Sequence, residues 1–243
     1  MNPVIVTAAT TRELAFLISA LDGRERLQLC GREACRGELA GWPVILGVTG
    51  IGKVNAAAAI ASLLERFEPE ILINTGCAGA YRGSGLAVGD LAMATVELFG
   101  DEGVLAPDGW NSLELIGIPA VERNGERYFN SFPLTRWAMD KAGYVANAAG
   151  LTLHSGPFVT VSTASGTAER GEELFRRFGG ICENMEGGAA AQTALLYGVD
   201  CMEVRGVSNL VEDRDLSRWD IPLAVERAQA FIMRFIGALC QTE

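Results

Sequence analysis

The sequence predicts an α/β protein in which a single domain spans residues 1–243. Short apolar, β-branched runs alternate with helical patterns along the whole chain, and no linker-like stretch separates them. A chain of 243 residues is long enough to bury a sizeable core in one domain. In α/β proteins ligands bind beyond the carboxyl ends of the strands, so polar residues at those ends are the first candidates for a functional site.

Composition and charge exclude several classes of function. A net charge of -10 argues against a nucleic-acid partner. The first residues lack the positive region of a signal peptide, and no uncharged apolar run approaches the length of a membrane span. We therefore expect a cytoplasmic protein with no membrane partner.

Cysteine and histidine usage indicates that the chemistry needs no cofactor. None of the six cysteines stands in a CxxC pair, and most lie in apolar runs, so we predict buried free thiols in a reducing compartment. His154 is the single histidine, which argues against a His-rich metal site, and we predict that it lies in a loop. We expect neither a metal nor another cofactor.

The first predicted strand, Pro3–Thr7, leads directly to an acidic residue. Thr10 or Thr11 can cap the following helix, which places Glu13 in the first helical turn, near the carboxyl end of that strand. A Glu at this position is also favoured by the helix dipole alone, so position does not decide its role. Residues 24–42 predict a hairpin that leads into a strand starting at Pro43.

The segment after that strand resembles a phosphate-binding loop without completing one. Gly47 is followed after four residues by Gly52 and Lys53, but Val54 stands where a Walker A site needs Ser or Thr. Residues 47–49 also belong to the strand, which leaves no loop to cradle a phosphate. We therefore reject a nucleotide triphosphatase, and interpret the glycines as a turn that approaches the sheet closely before a helix.

A central strand at residues 70–74 is predicted to end in a loop of small residues, 75–79. Small side chains allow a ligand to contact the backbone, so Cys77, Ala78 and Gly79 form a possible ligand wall; the alternative is a simple tight turn. Residues 99–135 are irregular, which is typical of a functional loop or lid.

The stretch with most chemical potential is residues 183–209. Glu186 opens a small-residue run that predicts a helix ending at Gly198, and the next strand ends on Ser208 and Asn209. A carboxylate and a carboxamide placed in this way can converge on one ligand. The alternatives are a helix-capping Glu and a turn-forming Asn. A last helix from Pro222 to Cys240 is predicted to dock on the domain.

Five segments in order resemble the nucleoside phosphorylase and hydrolase superfamily. They are Gly50-Ile-Gly-Lys-Val-Asn55, Asn74-Thr-Gly-Cys-Ala-Gly79, Val88-Gly-Asp90, Asn184-Met-Glu186 and Val204-Arg-Gly-Val-Ser-Asn209. The chain is most similar to the purine nucleosidases that cleave methylthioadenosine and S-adenosylhomocysteine, and to the futalosine hydrolases. The resemblance implies a three-layer α/β/α sandwich around a mixed sheet, a small-molecule purine nucleoside as substrate, and a homo-oligomer, either a dimer or larger.

The resemblance also implies roles for individual residues. Glu13 corresponds to the carboxylate that activates the attacking water, and Glu186 to the one that binds the ribose hydroxyls. The remaining positions along the ligand are Cys77, Ala78, Gly79, Asn184, Met185 and Ser208, with Met185 against the sugar. Asn74 stands where phosphorylases tend to carry a phosphate-binding Arg, which favours water as the nucleophile.

Two departures from the adenosine-type enzymes concern the base. Those enzymes have Asp where this chain has Asn209, and a carboxamide suits the 6-oxo group of hypoxanthine better than a 6-amino group. Gly166 stands near their base-stacking Phe, so Phe158 or an aromatic residue of a partner chain is expected to replace it. Candidates for binding a carboxylate on the 5′ substituent are Arg82, Arg136 and Arg214.

Overall fold

A computed structural model describes residues 1–240, over which the chain forms fourteen strands and six α-helices. The last residues of the predicted domain, 241–243, lie outside the described range. The strands are β1 (Val4–Ala8), β2 (Asp22–Leu29), β3 (Arg32–Leu39), β4 (Trp42–Val48), β5 (Ile71–Tyr81), β6 (Leu91–Phe99), β7 (Val104–Ala106), β8 (Gly109–Asn111), β9 (Val121–Arg123), β10 (Glu126–Tyr128), β11 (Ser131–Pro133), β12 (Leu153–Thr160), β13 (Cys182–Asn184) and β14 (Cys201–Val211). The helices are α1 (Ala15–Ala20), α2 (Lys53–Leu64), α3 (Arg136–Ala148), α4 (Ala168–Phe178), α5 (Gly187–Tyr197) and α6 (Ile221–Leu239).

Ten of these strands form one mixed sheet with helices on both faces. α2 and α5 pack on one face over a core that includes Ile60 and Ala190. α1, α3 and α6 pack on the other face over a second core that includes Leu17 and Phe231. The predicted three-layer α/β/α sandwich is therefore confirmed. None of the helices in residues 1–240 is both long and apolar enough to cross a membrane.

One end of the sheet curls into a ring. β5 pairs with β14, β14 with β6, β6 with β12, β12 with β13, and β13 again with β5. Because β5 is a member of this ring and also pairs with β1, side chains from several distant segments meet where its carboxyl-terminal half passes the end of β1.

The two strands that carry predicted site residues are longer than the sequence indicates. Residues 75–79 were predicted as a loop, but they continue β5 as far as Tyr81. Ser208 and Asn209 lie within β14, which extends to Val211. Both extensions have the same cause, since β5 and β14 pair with each other along this whole length and satisfy each other's backbone groups.

Other expectations are corrected locally. His154 lies in β12 rather than in a loop. The predicted irregular segment forms short hairpins, β7–β8 and β9–β10, before β11. Among the six cysteines, Cys30 and Cys240 are exposed and Cys77 is half-buried, so only three are buried thiols. Phe158 is fully buried in the core and has no exposed face to stack on a base.

Candidate active site

A cavity of about 410 Å³ lies where β1, β5, β13 and β14 come together. Its volume falls in the range of about 300–1,000 Å³ typical of small-molecule sites. All nine site residues predicted from the sequence line it: Glu13, Cys77, Ala78, Gly79, Asn184, Met185, Glu186, Ser208 and Asn209. The lining also includes residues that sequence reasoning did not assign, namely Arg205, Glu183, Ser165, Trp219 and Arg12.

Glu13 is held rigidly at one end of the cavity. It lies in a single 3-10 turn after β1, and its Oε2 accepts from the backbone N–H of Thr10 (2.9 Å) and from the Thr10 hydroxyl (2.8 Å). This is the Thr-x-x-Glu capping pattern. Its Oε1 accepts from the backbone N–H of Cys77 (3.1 Å). The same carboxylate therefore completes the turn and faces the cavity.

Glu186 does not cap its own helix. Its side chain makes no capping hydrogen bond to α5. Instead Oε1 accepts from the backbone N–H of Gly52 (2.9 Å), at the start of α2, and Oε2 lies 3.4 Å from Nη2 of Arg205. Burial raises the pKa of Glu186, while Arg205 and the Gly52 N–H oppose that shift. The turn at residues 50–52 therefore donates a backbone N–H to the carboxylate of Glu186.

Arg205 is the buried cation that links these acidic groups. Its Nε lies 2.5 Å from Oε1 of Glu203, its Nη1 donates to the carbonyl of Cys77 (2.9 Å), and its Nη2 faces Glu186. Burial lowers the pKa of Arg205, but the neighbouring carboxylates of Glu203 and Glu186 outweigh it, so the net shift is upward and the guanidinium stays charged. The sequence signal that could have identified Arg205 is the pair of Glu203 and Arg205 within an otherwise apolar strand.

Asn184 positions the start of α5. Its Oδ1 accepts from the backbone N–H groups of Glu186 (2.9 Å) and Gly187 (2.7 Å), and its Nδ2 donates to Oε1 of Glu97 (2.7 Å). The side chain is buried, with both amide atoms engaged by the protein. It therefore fixes the backbone from which Met185 and Glu186 reach the cavity.

Asn209 lies at the other end of the cavity, on a β-bulge. The register between β14 and β5 shifts at Ser208, so that Asn209 pairs with Gly79. The Ser208 hydroxyl lies 2.8 Å from Oδ1 of Asn209, whose Nδ2 donates to the Leu210 carbonyl (3.0 Å). Asn209 is therefore part of a strand, not a turn, and its amide is oriented by the Leu210 carbonyl, with the buried Ser208 hydroxyl at its oxygen.

The two ends are separated by a distance suited to a nucleoside. A Cβ at Gly76 would meet Glu13, and one at Gly79 would meet Asn209. These positions are three residues apart along an extended strand, which is about 10 Å. Cys77 and Ala78 form the wall between them. Burial, together with the nearby Glu13, raises the pKa of the Cys77 thiol to about 11, so this thiol stays neutral at the wall.

The mouth of the cavity is aromatic and basic. Trp219 and Arg214 line it, with the Arg214 guanidinium 4.8 Å from the centre of the Trp219 ring. Of the three arginines proposed for the 5′ substituent, Arg214 alone is among the lining residues. Arg136 instead pairs with Asp140 on the surface of α3, at 3.0 Å.

Comparison with known proteins agrees with this fold. A model of the Phosphorylase superfamily matches residues 3–237. The futalosine hydrolase of Thermus thermophilus is 36% identical over 192 residues, covering 78% of this chain and 79% of that protein. The 5′-methylthioadenosine/S-adenosylhomocysteine nucleosidase of Geobacillus thermodenitrificans is 32% identical over 206 residues, covering 84% and 83%. The S. pneumoniae enzyme of the latter name, solved with a transition-state inhibitor, superposes with a TM-score of 0.84 at 26% identity, covering 98% of this chain and 99% of that chain.

The chain belongs to the Phosphorylase superfamily. Its relatives are named as nucleosidases and hydrolases, and the chain is an enzyme of the same N-glycosyl hydrolase type.

Proposed function

We propose that the protein hydrolyses the N-glycosidic bond of futalosine, releasing hypoxanthine and dehypoxanthine futalosine, as a step of menaquinone biosynthesis. The observation that carries this proposal is Asn209, a fixed carboxamide at the end of the cavity remote from Glu13. The similarity to a futalosine hydrolase supports the same substrate.

Asn209 is suited to a 6-oxopurine. Its Nδ2 keeps one N–H that can donate to O6, and its Oδ1 keeps a lone pair that can accept from a protonated N7. The Leu210 carbonyl can only accept, so its bond with Nδ2 opposes rotation of the amide to present its oxygen to a 6-amino group. An adenine base would therefore leave a buried donor facing a donor, which is the type of mismatch that enzymes reject most strongly.

The residues at the opposite end support hydrolysis through an oxocarbenium-like transition state. Glu186 accepts from the ribose hydroxyls and stabilises the positive charge that develops on the sugar. Glu13 takes a proton from the water that attacks C1′, a general-base role worth about a hundred- to ten-thousand-fold in rate. The bond from C1′ to N9 breaks, its electrons pass into the purine, and N7 takes a proton from a solvent water molecule, so the base leaves neutral and hydrogen-bonded to Asn209. The proton that Glu13 took from the attacking water returns to solvent.

The mouth of the cavity fits the rest of the substrate. The 5′ substituent of futalosine ends in an aryl carboxylate. Trp219 offers a ring for the aryl group and Arg214 a guanidinium for the carboxylate.

The first experiment supplies the full-length protein with futalosine, inosine and methylthioadenosine separately, without phosphate, and identifies the base released. We expect hypoxanthine from futalosine and no adenine from methylthioadenosine. Adenine release at a comparable rate would reject the proposal in favour of the adenosine-type nucleosidase.

A variant tests whether Asn209 sets this preference. Asn209→Asp restores a titratable acceptor, so kcat/KM for methylthioadenosine should rise relative to that for futalosine by at least about tenfold. Asn147→Asp, which makes the same change on the exposed surface of α3, serves as the control and should leave the ratio unchanged.

A further inference from the structure

Glu183 is a third buried carboxylate of the cavity, after Glu13 and Glu186, and the reaction described above gives it no role. It is 7% exposed. Its Oε1 accepts from the backbone N–H of Ser165 (2.8 Å) and its Oε2 from the Ser165 hydroxyl (2.7 Å). Burial raises its pKa, and the hydrogen bonds from Ser165 oppose the shift. Each carboxylate oxygen has more than one acceptor site, so these bonds leave room for a ligand donor.

Glu183 and Asn209 occupy matched positions on either side of the central strand. Glu183 is in register with Gly79 across the β13–β5 pair, and Asn209 is in register with Gly79 across the β14–β5 pair. Residues in register on neighbouring strands project to the same face of a sheet, and two strand spacings amount to about 10 Å. A Cβ added at Gly79 would lie 3.2 Å from Nδ2 of Asn209 and 3.7 Å from Cγ of Glu183. Gly79 therefore leaves a flat floor between two polar side chains.

We propose that Glu183 is a second specificity-determining residue, whose carboxylate accepts the N1–H of a 6-oxopurine while Asn209 pairs with O6 and N7. This inference rests on the proposed function and deepens it. N7, O6 and N1 follow one another along one edge of hypoxanthine. Two side chains on either side of Gly79 can therefore bind all three atoms, Asn209 at N7 and O6 and Glu183 at N1. Adenine carries a lone pair at N1 where hypoxanthine carries a hydrogen, and a carboxylate is an acceptor only. Adenine is thus opposed at both residues, by repulsion at N1 and by a donor facing its amino group.

Glu183→Gln separates this role from a structural one. The Gln oxygen still accepts from the Ser165 N–H, and the Ser165 hydroxyl can accept from the new NH2 group, so the contact between β13 and residue 165 is retained. The remaining N–H then points to N1 as a donor. Hypoxanthine affinity should fall by about 10- to 100-fold, the range for one hydrogen bond to a charged group, while adenine affinity rises or is unchanged.

The measurement is calorimetric binding of free hypoxanthine, 1-methylhypoxanthine and adenine to the full chain. The matched control is Ser165→Ala, which removes one hydrogen bond to Glu183 but keeps the carboxylate, and should keep the preference for hypoxanthine. An unchanged hypoxanthine-to-adenine ratio in folded Glu183→Gln would overturn the inference.

The wild-type protein provides a test that does not depend on the folding of a variant. 1-Methylhypoxanthine lacks the N1–H, so it should bind at least about tenfold more weakly than hypoxanthine. Equal affinity would reject the role of Glu183 and leave futalosine cleavage standing, because turnover is measured separately. Preference of the wild type for adenine, with adenine release from methylthioadenosine, would reject both proposals.

Discussion

A row of buried ionisable side chains lies behind Glu186, and their mutual contacts determine which of them holds a proton. Arg205 contacts Glu186 on one side and Glu203 on the other, and the fully buried Glu97 lies next to Glu203. A Cβ at Gly187 would clash with the carboxylate oxygens of both Glu97 and Glu203. Two carboxylates this close repel each other unless one of them is protonated. Burial, followed by the charge of Glu203, raises the pKa of Glu97 well above its ordinary value.

Glu97→Gln should therefore change how stability depends on pH. Folded Glu97 retains a proton that the unfolded chain releases above its ordinary pKa of about 4.3, so the free energy of unfolding falls as pH rises from there to the folded pKa. The slope approaches about 1.4 kcal/mol per pH unit. Gln mimics the protonated acid and can donate to Glu203, so the variant should lose this slope and equal or exceed the wild type in stability at neutral pH. Urea denaturation of both proteins at a series of pH values measures how the free energy of unfolding depends on pH.

The comparison for this prediction is Glu68→Gln, which removes an exposed carboxylate. It should retain the wild-type slope. If Glu97→Gln is instead less stable than the wild type by more than about 2 kcal/mol at neutral pH, Glu97 is ionised in the fold and the shared-proton arrangement is wrong.

At the scale of elements, the turn after β1 positions Glu13, the proposed general base. The Thr10 hydroxyl donates to Oε2 of Glu13, and the backbone of β5 holds Oε1 through Cys77. Thr10→Val keeps the shape of the side chain but removes the hydroxyl donor. We expect kcat to fall by about 3- to 10-fold with KM nearly unchanged, since one of the hydrogen bonds that position the carboxylate is lost and the backbone contacts remain. Steady-state kinetics with futalosine measure the two constants separately.

Two further variants calibrate this result. Thr11→Val alters the neighbouring exposed residue and should leave kcat unchanged. Glu13→Gln removes the base itself, so kcat should fall by about a hundred- to ten-thousand-fold with substrate binding retained. Unchanged turnover in Glu13→Gln would remove Glu13 from the mechanism, and the Thr10 argument with it.

Local sequence predicted the elements but not where two strands end. The apolar run before Asn74 and the one before Ser208 both indicate strands, and both exist. Small residues at 75–79 suggested a loop, because sequence patterns do not show that β14, more than a hundred residues later, is available as a pairing partner. The same long-range pairing creates the bulge at Ser208.

At the scale of the whole molecule, sequence order predicted which residues converge, and topology decided what each one does. All nine predicted residues line one cavity because they lie within or soon after β1, β5, β13 and β14, which meet where β5 passes the end of β1. The role of each residue depends on its side-chain contacts, and local sequence patterns do not predict these contacts. Asn184 holds the start of α5, and the unassigned Arg205 and Glu183 reach the cavity through the closed ring of strands.

The distribution of charge over the molecule predicts that water, and not phosphate, is the nucleophile. The chain carries a net charge of -10, and the reacting end of the cavity presents Glu13 and Glu186. Arg205, the cation at that end, is engaged by Glu186 and Glu203. Asn74, at the position where phosphorylases tend to carry an Arg, is buried, with its Oδ1 3.3 Å from the Thr7 hydroxyl. A phosphate dianion would therefore meet carboxylates whose buried cation is already engaged.

Replacing chloride by phosphate at matched ionic strength should thus leave the rate of base release from futalosine unchanged. The sugar product should be the free sugar, and in isotopically labelled water it should carry one labelled oxygen at C1′. Arg214 and Arg12 near the mouth can attract phosphate, but there it competes with the carboxylate of the substrate and can only raise KM. A phosphate-dependent increase in kcat, with sugar 1-phosphate as the product, would contradict the role of Glu13 as the base that activates water.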